Sequence, residues 1–172
     1  MNLTDSKLVA ADRNEVWRAL LSAEVLQQCV PGCKEMSGNS EEGFEATVVQ
    51  KVGPVKATFK GAVTLSDKVE CESLILSGEG KGGAAGFAKG SAKVVLTDEE
   101  GGTLLSYDVE AKVGGKLAQL GSRIIDGFAK KMADQFFEEF RNAVQGTSEE
   151  AEGSEDGEKK KGWLGRLVSS KN

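Results

Sequence analysis

Two hydrophobic rhythms divide this chain. Residues 2 to 10 set Leu3 and Val9 among polar neighbours and predict a first strand. Asp12 then offers an N-cap to a short helix carrying Val16, Trp17, Leu20 and Leu21, and a second helical turn follows through Val25 and Leu26. Pro31-Gly32 ends that turn, because proline lacks the backbone donor and glycine permits the reversal. Beyond it the period becomes two. Phe44, Ala46 and Val48 alternate with Glu45 and Thr47, and Gly53-Pro54 makes the next reversal.

The clearest strand is Val55 to Leu65, with Val55, Ala57, Phe59, Gly61, Val63 and Leu65 on one face and Lys56, Thr58, Lys60 and Thr64 on the other. Val69 to Ser77, Phe87 to Leu96 and Thr103 to Val113 supply three more. Their connections are too short for crossover helices, so the strands form an antiparallel meander. From Lys116 the period turns helical, with Leu117, Leu120, Ile124, Phe128, Met132, Phe136, Phe140 and Val144 recurring every three to four residues. A stripe of about thirty residues makes a helix of roughly 45 Å, and only a large sheet can bury it. The fold class is α+β, a curved antiparallel sheet wrapped around a long C-terminal helix with two short helices after the first strand. Glycines along the strands suit bending of the sheet or close approach by a ligand. The helix stripe is core by default. A sheet wrapped around one helix also leaves room for a cavity, lined on this reading by Phe59, Phe87, Tyr107, Leu120, Ile124 and Phe128.

Candidate chemistry is sparse. Histidine is absent, which removes the usual general base and the commonest transition-metal ligand. Cys29, Cys33 and Cys71 lack the spacing of a zinc or redox pair, so no metal and no cofactor is expected. Gly78 to Gly83 satisfies G-x-G-x-x-G, but a strand follows where a dinucleotide site needs a helix, so a flexible or bulged hairpin is the better reading. Asp108 and Glu110 share a strand face with Ser106 and Lys112 and read as its solvated side.

Charge marks off the tail. Residues 1–145 hold 17 bases and 21 acids, which argues against nucleic acid as a partner. Residues 146–158 are acidic and are expected to be a disordered linker. Residues 159–172 then set Trp163, Leu164, Leu167 and Val168 beside Lys159, Lys160, Lys161 and Arg166, the pattern of a basic amphipathic segment that docks on a membrane or a partner protein. With no long apolar run and no signal-peptide pattern at the start, the expected location is cytoplasmic, peripherally associated with the inner face of the cytoplasmic membrane.

Several stretches carry a family resemblance: Val30-Pro31-Gly32-Cys33, Val52-Gly53-Pro54-Val55, Gly86-Phe87-Ala88-Lys89-Gly90, the run from Gly114 to Arg123, and Phe136-Phe137. Over roughly residues 1–145 the chain resembles the CoxG family of carbon monoxide dehydrogenase subunits, within the START-like helix-grip (SRPBCC) superfamily. The resemblance implies a helix-grip domain with a hydrophobic pocket between sheet and helix. It also implies association with a molybdenum hydroxylase that the protein helps bring to the membrane, with an isoprenoid quinone as a sensible cargo. It supplies no catalytic residues. The alternatives are an enzyme of the cyclase or hydratase type, which needs an ionisable group facing the pocket, and a recruitment adaptor with a filled core.

The tail reading has a direct consequence. Deleting residues 147–172 is expected to abolish co-sedimentation with anionic vesicles and to leave the thermal midpoint nearly unchanged; sedimentation equal to that of the full chain contradicts it.

Overall fold

A computed structural model describes the backbone of residues 1–156 and the side chains of residues 1–146, so the tail 159–172 lies outside the described residues. Strand β1 (Asn2–Val9) leads into helices α1 (Arg13–Leu20) and α2 (Ala23–Cys29). Strands β2 (Cys33–Asn39), β3 (Gly43–Val52), β4 (Val55–Val69) and β5 (Ser73–Lys81) follow. After a 3-10 turn at Gly83–Ala85 come β6 (Phe87–Glu99), β7 (Gly102–Gly114), the short α3 (Lys116–Gln119) and α4 (Ser122–Asp156). The strands form one antiparallel sheet in the order β1-β7-β6-β5-β4-β3-β2.

Local signals explain most boundaries. Asp12 caps α1 by accepting from the Glu15 amide at 2.9 Å, and Ser22 caps α2 by accepting from Val25 at 3.3 Å. The sequence pattern expects one helix from Lys116; two are present. Gly121, at φ +91°, takes the left-handed conformation that ends α3 and lets α4 start afresh at Ser122. The motif glycines Gly86 and Gly115 cross back to back. A Cβ on Gly115 would lie 2.6 Å from the Gly86 Cα, so neither tolerates a side chain. The bounds of α4 run into the stretch 146–158, read as a disordered linker. Glu149, Glu150 and Glu152 are polar, and they and Ala151 are also good helix formers.

The core splits into two clusters. The larger joins Val9 of β1, Val16, Trp17 and Leu20 of α1, and Leu74, Val94, Leu96 and Leu105 of the sheet to Phe137 and Phe140 of α4. Phe140 is completely buried, and burial of such a side chain is worth about 1.5–3 kcal/mol. The smaller joins Val52, Leu117 and Ile125 at the other end of the sheet.

Thr103 is the one buried polar residue among those described, and its hydroxyl donates to the Ala11 carbonyl at 2.7 Å. Thr103→Val keeps the shape and removes the donor. The expected loss is about 1–3 kcal/mol, read as a lower urea midpoint at constant m-value, and an unchanged midpoint contradicts it.

Candidate ligand-binding site

Cross-strand register decides what the inner face of the sheet presents. Residues opposite one another share a face, so Ala46, Gly61, Gly80, Ala88 and Val113 form one inward row across β3 to β7. The next row is Phe44, Val63, Gly78, Gly90 and Ala111. Glycine and alanine hold seven of these ten positions, and the middle of the sheet therefore has a low floor.

Two of those glycines have no steric need to be glycine. A Cβ on Gly80 would meet only the Phe59 Cβ, at 4.0 Å, and one on Gly61 would approach nothing nearer than the Glu79 carbonyl at 3.4 Å. Neither has a positive φ. Glycine inside a strand weakens it, and at these two positions neither sterics nor backbone conformation requires it. Above the floor, Ala129 and Met132 of α4 are half-buried and join neither core cluster. The helix is seated at both ends and spans the low floor between.

The six residues expected to line a cavity separate accordingly. Phe59, Leu120 and Phe128 come together against the smaller cluster. Tyr107 is buried in the larger one, stacked on Phe137 with ring centroids 4.8 Å apart. Ile124 is 43% exposed and sits with Leu120 by the β3–β4 turn, near Gly53. Phe87 does not join them. It pairs with Lys81 and Gly114, out of phase with the inward Ala88 and Val113, so alternation puts it on the outer face, 39% exposed. The motif Gly78 to Gly83 is strand through Lys81 followed by the 3-10 turn, with no helix behind it.

Charged residues at the rim were not legible as part of this site. Asp5 and Lys7 occupy the inward phase of the edge strand β1, opposite Tyr107 and Leu105. The Lys7 ammonium lies 3.5 Å from Asp5 and 3.4 Å from Asp134 of α4, and Lys130 reaches Asp134 at 3.0 Å. The Lys130 hydrogen bond leads the effects that lower the Asp134 pKa. Burial pushes the Tyr107 phenol up, and the carboxylates of Asp5 and Asp134 push it further. Its hydroxyl is therefore a neutral donor, and no partner for it appears among the described residues. The signal available in sequence was the break in the inward phase Leu3, Asp5, Lys7, Val9. Inward charges are a common guard on sheet edges.

Two open grooves lie elsewhere. One, of about 250 Å³, runs between α1, α2 and α4 along Arg18, Val25 and Val144; the other, of about 360 Å³, lies along Arg13, Lys93 and Asp98. None of the six expected residues lines either groove. No helix among the described residues is long and apolar enough to cross a membrane. No group of three metal-ligating side chains is present among them.

The pattern of the CoxG family, named for a subunit of carbon monoxide dehydrogenase, matches residues 6–145. The chain belongs to the CoxG family. The fold has solved counterparts. A conserved protein from Geobacillus kaustophilus shares 27% identity at a TM-score of 0.79, over 86% of this chain and 97% of that one. A START superfamily protein from Mycobacterium smegmatis shares 13% identity at a TM-score of 0.63, over 85% and 98%. At that identity the likeness speaks for the fold alone, which is the START-like helix-grip expected from the sequence. No curated protein matches significantly.

The CoxG-family chain keeps its thiols quiet. Cys33 donates to the Glu35 carbonyl and Cys71 to Asn14, while Cys29 is buried, its pKa pushed up to about 11 by desolvation and then by the charge of Glu139. A reactive thiol needs the opposite shift. At pH 8 Cys29 is expected to resist iodoacetamide in the native protein and to react after addition of urea, as mapped by peptide mass spectrometry. Native-state labelling of Cys29 at the rate of a free thiol contradicts the assignment.

Proposed function

We propose that this CoxG-family protein is a non-enzymatic accessory protein. On this reading it holds an apolar ligand, an isoprenoid quinone, between the inner sheet face and α4, and links a molybdenum hydroxylase of the carbon monoxide dehydrogenase type to the membrane. The observation that carries the proposal is the open floor at Gly61 and Gly80, where glycine persists without a steric or backbone reason. The surrounding chemistry supports it. Phe59, Leu120 and Phe128 offer apolar walls, and Tyr107 offers a buried neutral donor suited to a carbonyl oxygen. A quinone has that composition, a long apolar body with two carbonyls. Such a molecule is too insoluble to reach an enzyme in water unaided, and a dry pocket solves the transfer. The basic segment 159–172, with Trp163 and Leu164 among its apolar residues, serves as the membrane or partner contact in this scheme.

The family's name ties its members to carbon monoxide dehydrogenase as one of its subunits. It supports the accessory role over a cyclase or hydratase, whose chemistry would need an acid and base aimed at bound substrate. The charges nearest the site, Asp5, Lys7, Asp134 and Lys130, are tied to one another.

Gly80→Leu tests the proposal, because an empty space accepts added volume and a packed core does not. In calorimetric titration with a short-chain quinone, the wild type is expected to bind and the variant to lose binding, with stability held within about 1 kcal/mol. A variant destabilised by roughly 1–3 kcal/mol, from a wild type that takes up no quinone, overturns the proposal in favour of an adaptor with a filled core.

A further inference from the structure

In an antiparallel meander the connections alternate between two ends of the sheet. The β3–β4 turn, the 3-10 turn after β5 and the β7–α3 link share one end, beside Leu120 and Ile124. The β4–β5 and β6–β7 turns share the other. The outer face at the first end carries Lys51, Lys56, Lys60, Lys81, Lys89 and Lys112, all exposed. Register sets them in three cross-strand pairs of like charge: Lys51 with Lys56, Lys60 with Lys81, and Lys89 with Lys112. Among the described residues none of the six makes an ion pair.

Like charges directly opposite one another destabilise a sheet. These pairs do not guard a free edge, since they lie on β3 to β7 and the edges are β1 and β2. They are also not the ordinary mixture of a solvated face. Further along the same face Lys93 stands opposite Asp108, and the far turns carry Glu70, Glu72 and the run Asp98 to Glu100. On β3 to β7, Glu45 and Glu79 are the two acids within the lysine rows, both in the row of Lys89 and Lys112. The body is therefore polarised end to end although its net charge is negative. Phe87 projects from the middle of the basic end, in the row of Lys60 and Lys81.

We propose that this lysine pole, with Phe87 at its centre, docks the folded domain on an anionic lipid surface. Scattered ammonium groups around an exposed aromatic ring complement a layer of anionic headgroups over hydrocarbon, and a fluid layer of anions relieves all three like-charge pairs at once. Docking there brings the β3–β4 turn and the 3-10 turn after β5 close to the bilayer, at the end where the helix first meets the sheet. The contact belongs to the domain and acts alongside the C-terminal segment, orienting and tightening a chain which that segment tethers, so that loss of the segment still frees the chain from vesicles. It goes beyond the carrier reading and does not depend on a bound ligand.

The test uses the full chain and vesicles of phosphatidylcholine with or without phosphatidylglycerol. The variant Lys60→Gln, Lys81→Gln, Lys89→Gln removes three charges from the pole; Lys34→Gln, Lys93→Gln, Lys131→Gln removes three exposed lysines elsewhere. Each lysine at an anionic surface is worth roughly five-fold in affinity, so the pole variant is expected to lose at least about ten-fold on anionic vesicles while the control stays within about three-fold. Its melting temperature is expected to hold or rise. Equal losses in both variants reduce the effect to net charge and overturn the proposal. Wild-type binding by the pole variant also overturns it, whatever happens to contacts with an acidic protein partner. Extracting the vesicle-free samples for bound ligand scores the carrier reading separately, because the substituted lysines face outward.

Discussion

One long helix, helped by α1 at one end only, has to cover the inner face of a seven-stranded sheet, and the rest of the structure follows from how it fails to do so completely. Strands about 4.8 Å apart make a surface close to three times as wide as a helix of about 10 Å. Curling the sheet brings its two sides toward the helix but leaves the middle to be filled by side chains. Here the middle rows are mostly glycine and alanine. Contact concentrates instead at two places, around Phe137 and Phe140 at one end and around Ile125 with Val52 and Leu117 at the other. The helix is thus anchored at two places, with a low span of glycine and alanine between them.

The polar groups near that space are arranged to stay put. Lys7, Asp5, Asp134 and Lys130 satisfy one another at the rim, and such exposed pairs add little stability. Their effect is positional, since they join the edge strand to α4 beside the Tyr107 ring. Tyr107 contributes area through its stacking on Phe137, and on the proposed reading its hydroxyl is the donor to a ligand oxygen. On the proposed carrier reading, an apolar cavity with one neutral donor would select by shape and by a carbonyl, without charge. The lysine rows give the same domain a direction in an external field, since acids gather at the opposite end of the sheet.

Much of this was readable from residues alone, for physical reasons. Long alternating runs such as Val55 to Leu65, and the helical stripe ending at Phe140 and Val144, announce themselves because one face of each is buried along its length. Strand β2, Cys33–Asn39, was not readable, since it is an edge strand, mostly exposed and broken by an irregularity between Cys33 and Glu35. The interruption at Gly121 was hidden because the apolar spacing continues across it. The site was half legible. Phe59, Leu120 and Phe128 follow from phase and spacing, but Phe87 required knowing that β6 enters the sheet with Ala88 inward. The floor itself is a negative signal. Small residues reveal an empty place only when the register shows that Gly61 and Gly80, on different strands, lie opposite one another.

The central claim is that the low floor between the two anchorages is occupied by an apolar molecule. Denaturing mass spectrometry of an organic extract of the purified full-length protein measures this most directly. The account predicts an isoprenoid quinone recovered in near-stoichiometric amount, and a chain that yields no apolar molecule and takes up none when quinone is supplied contradicts it.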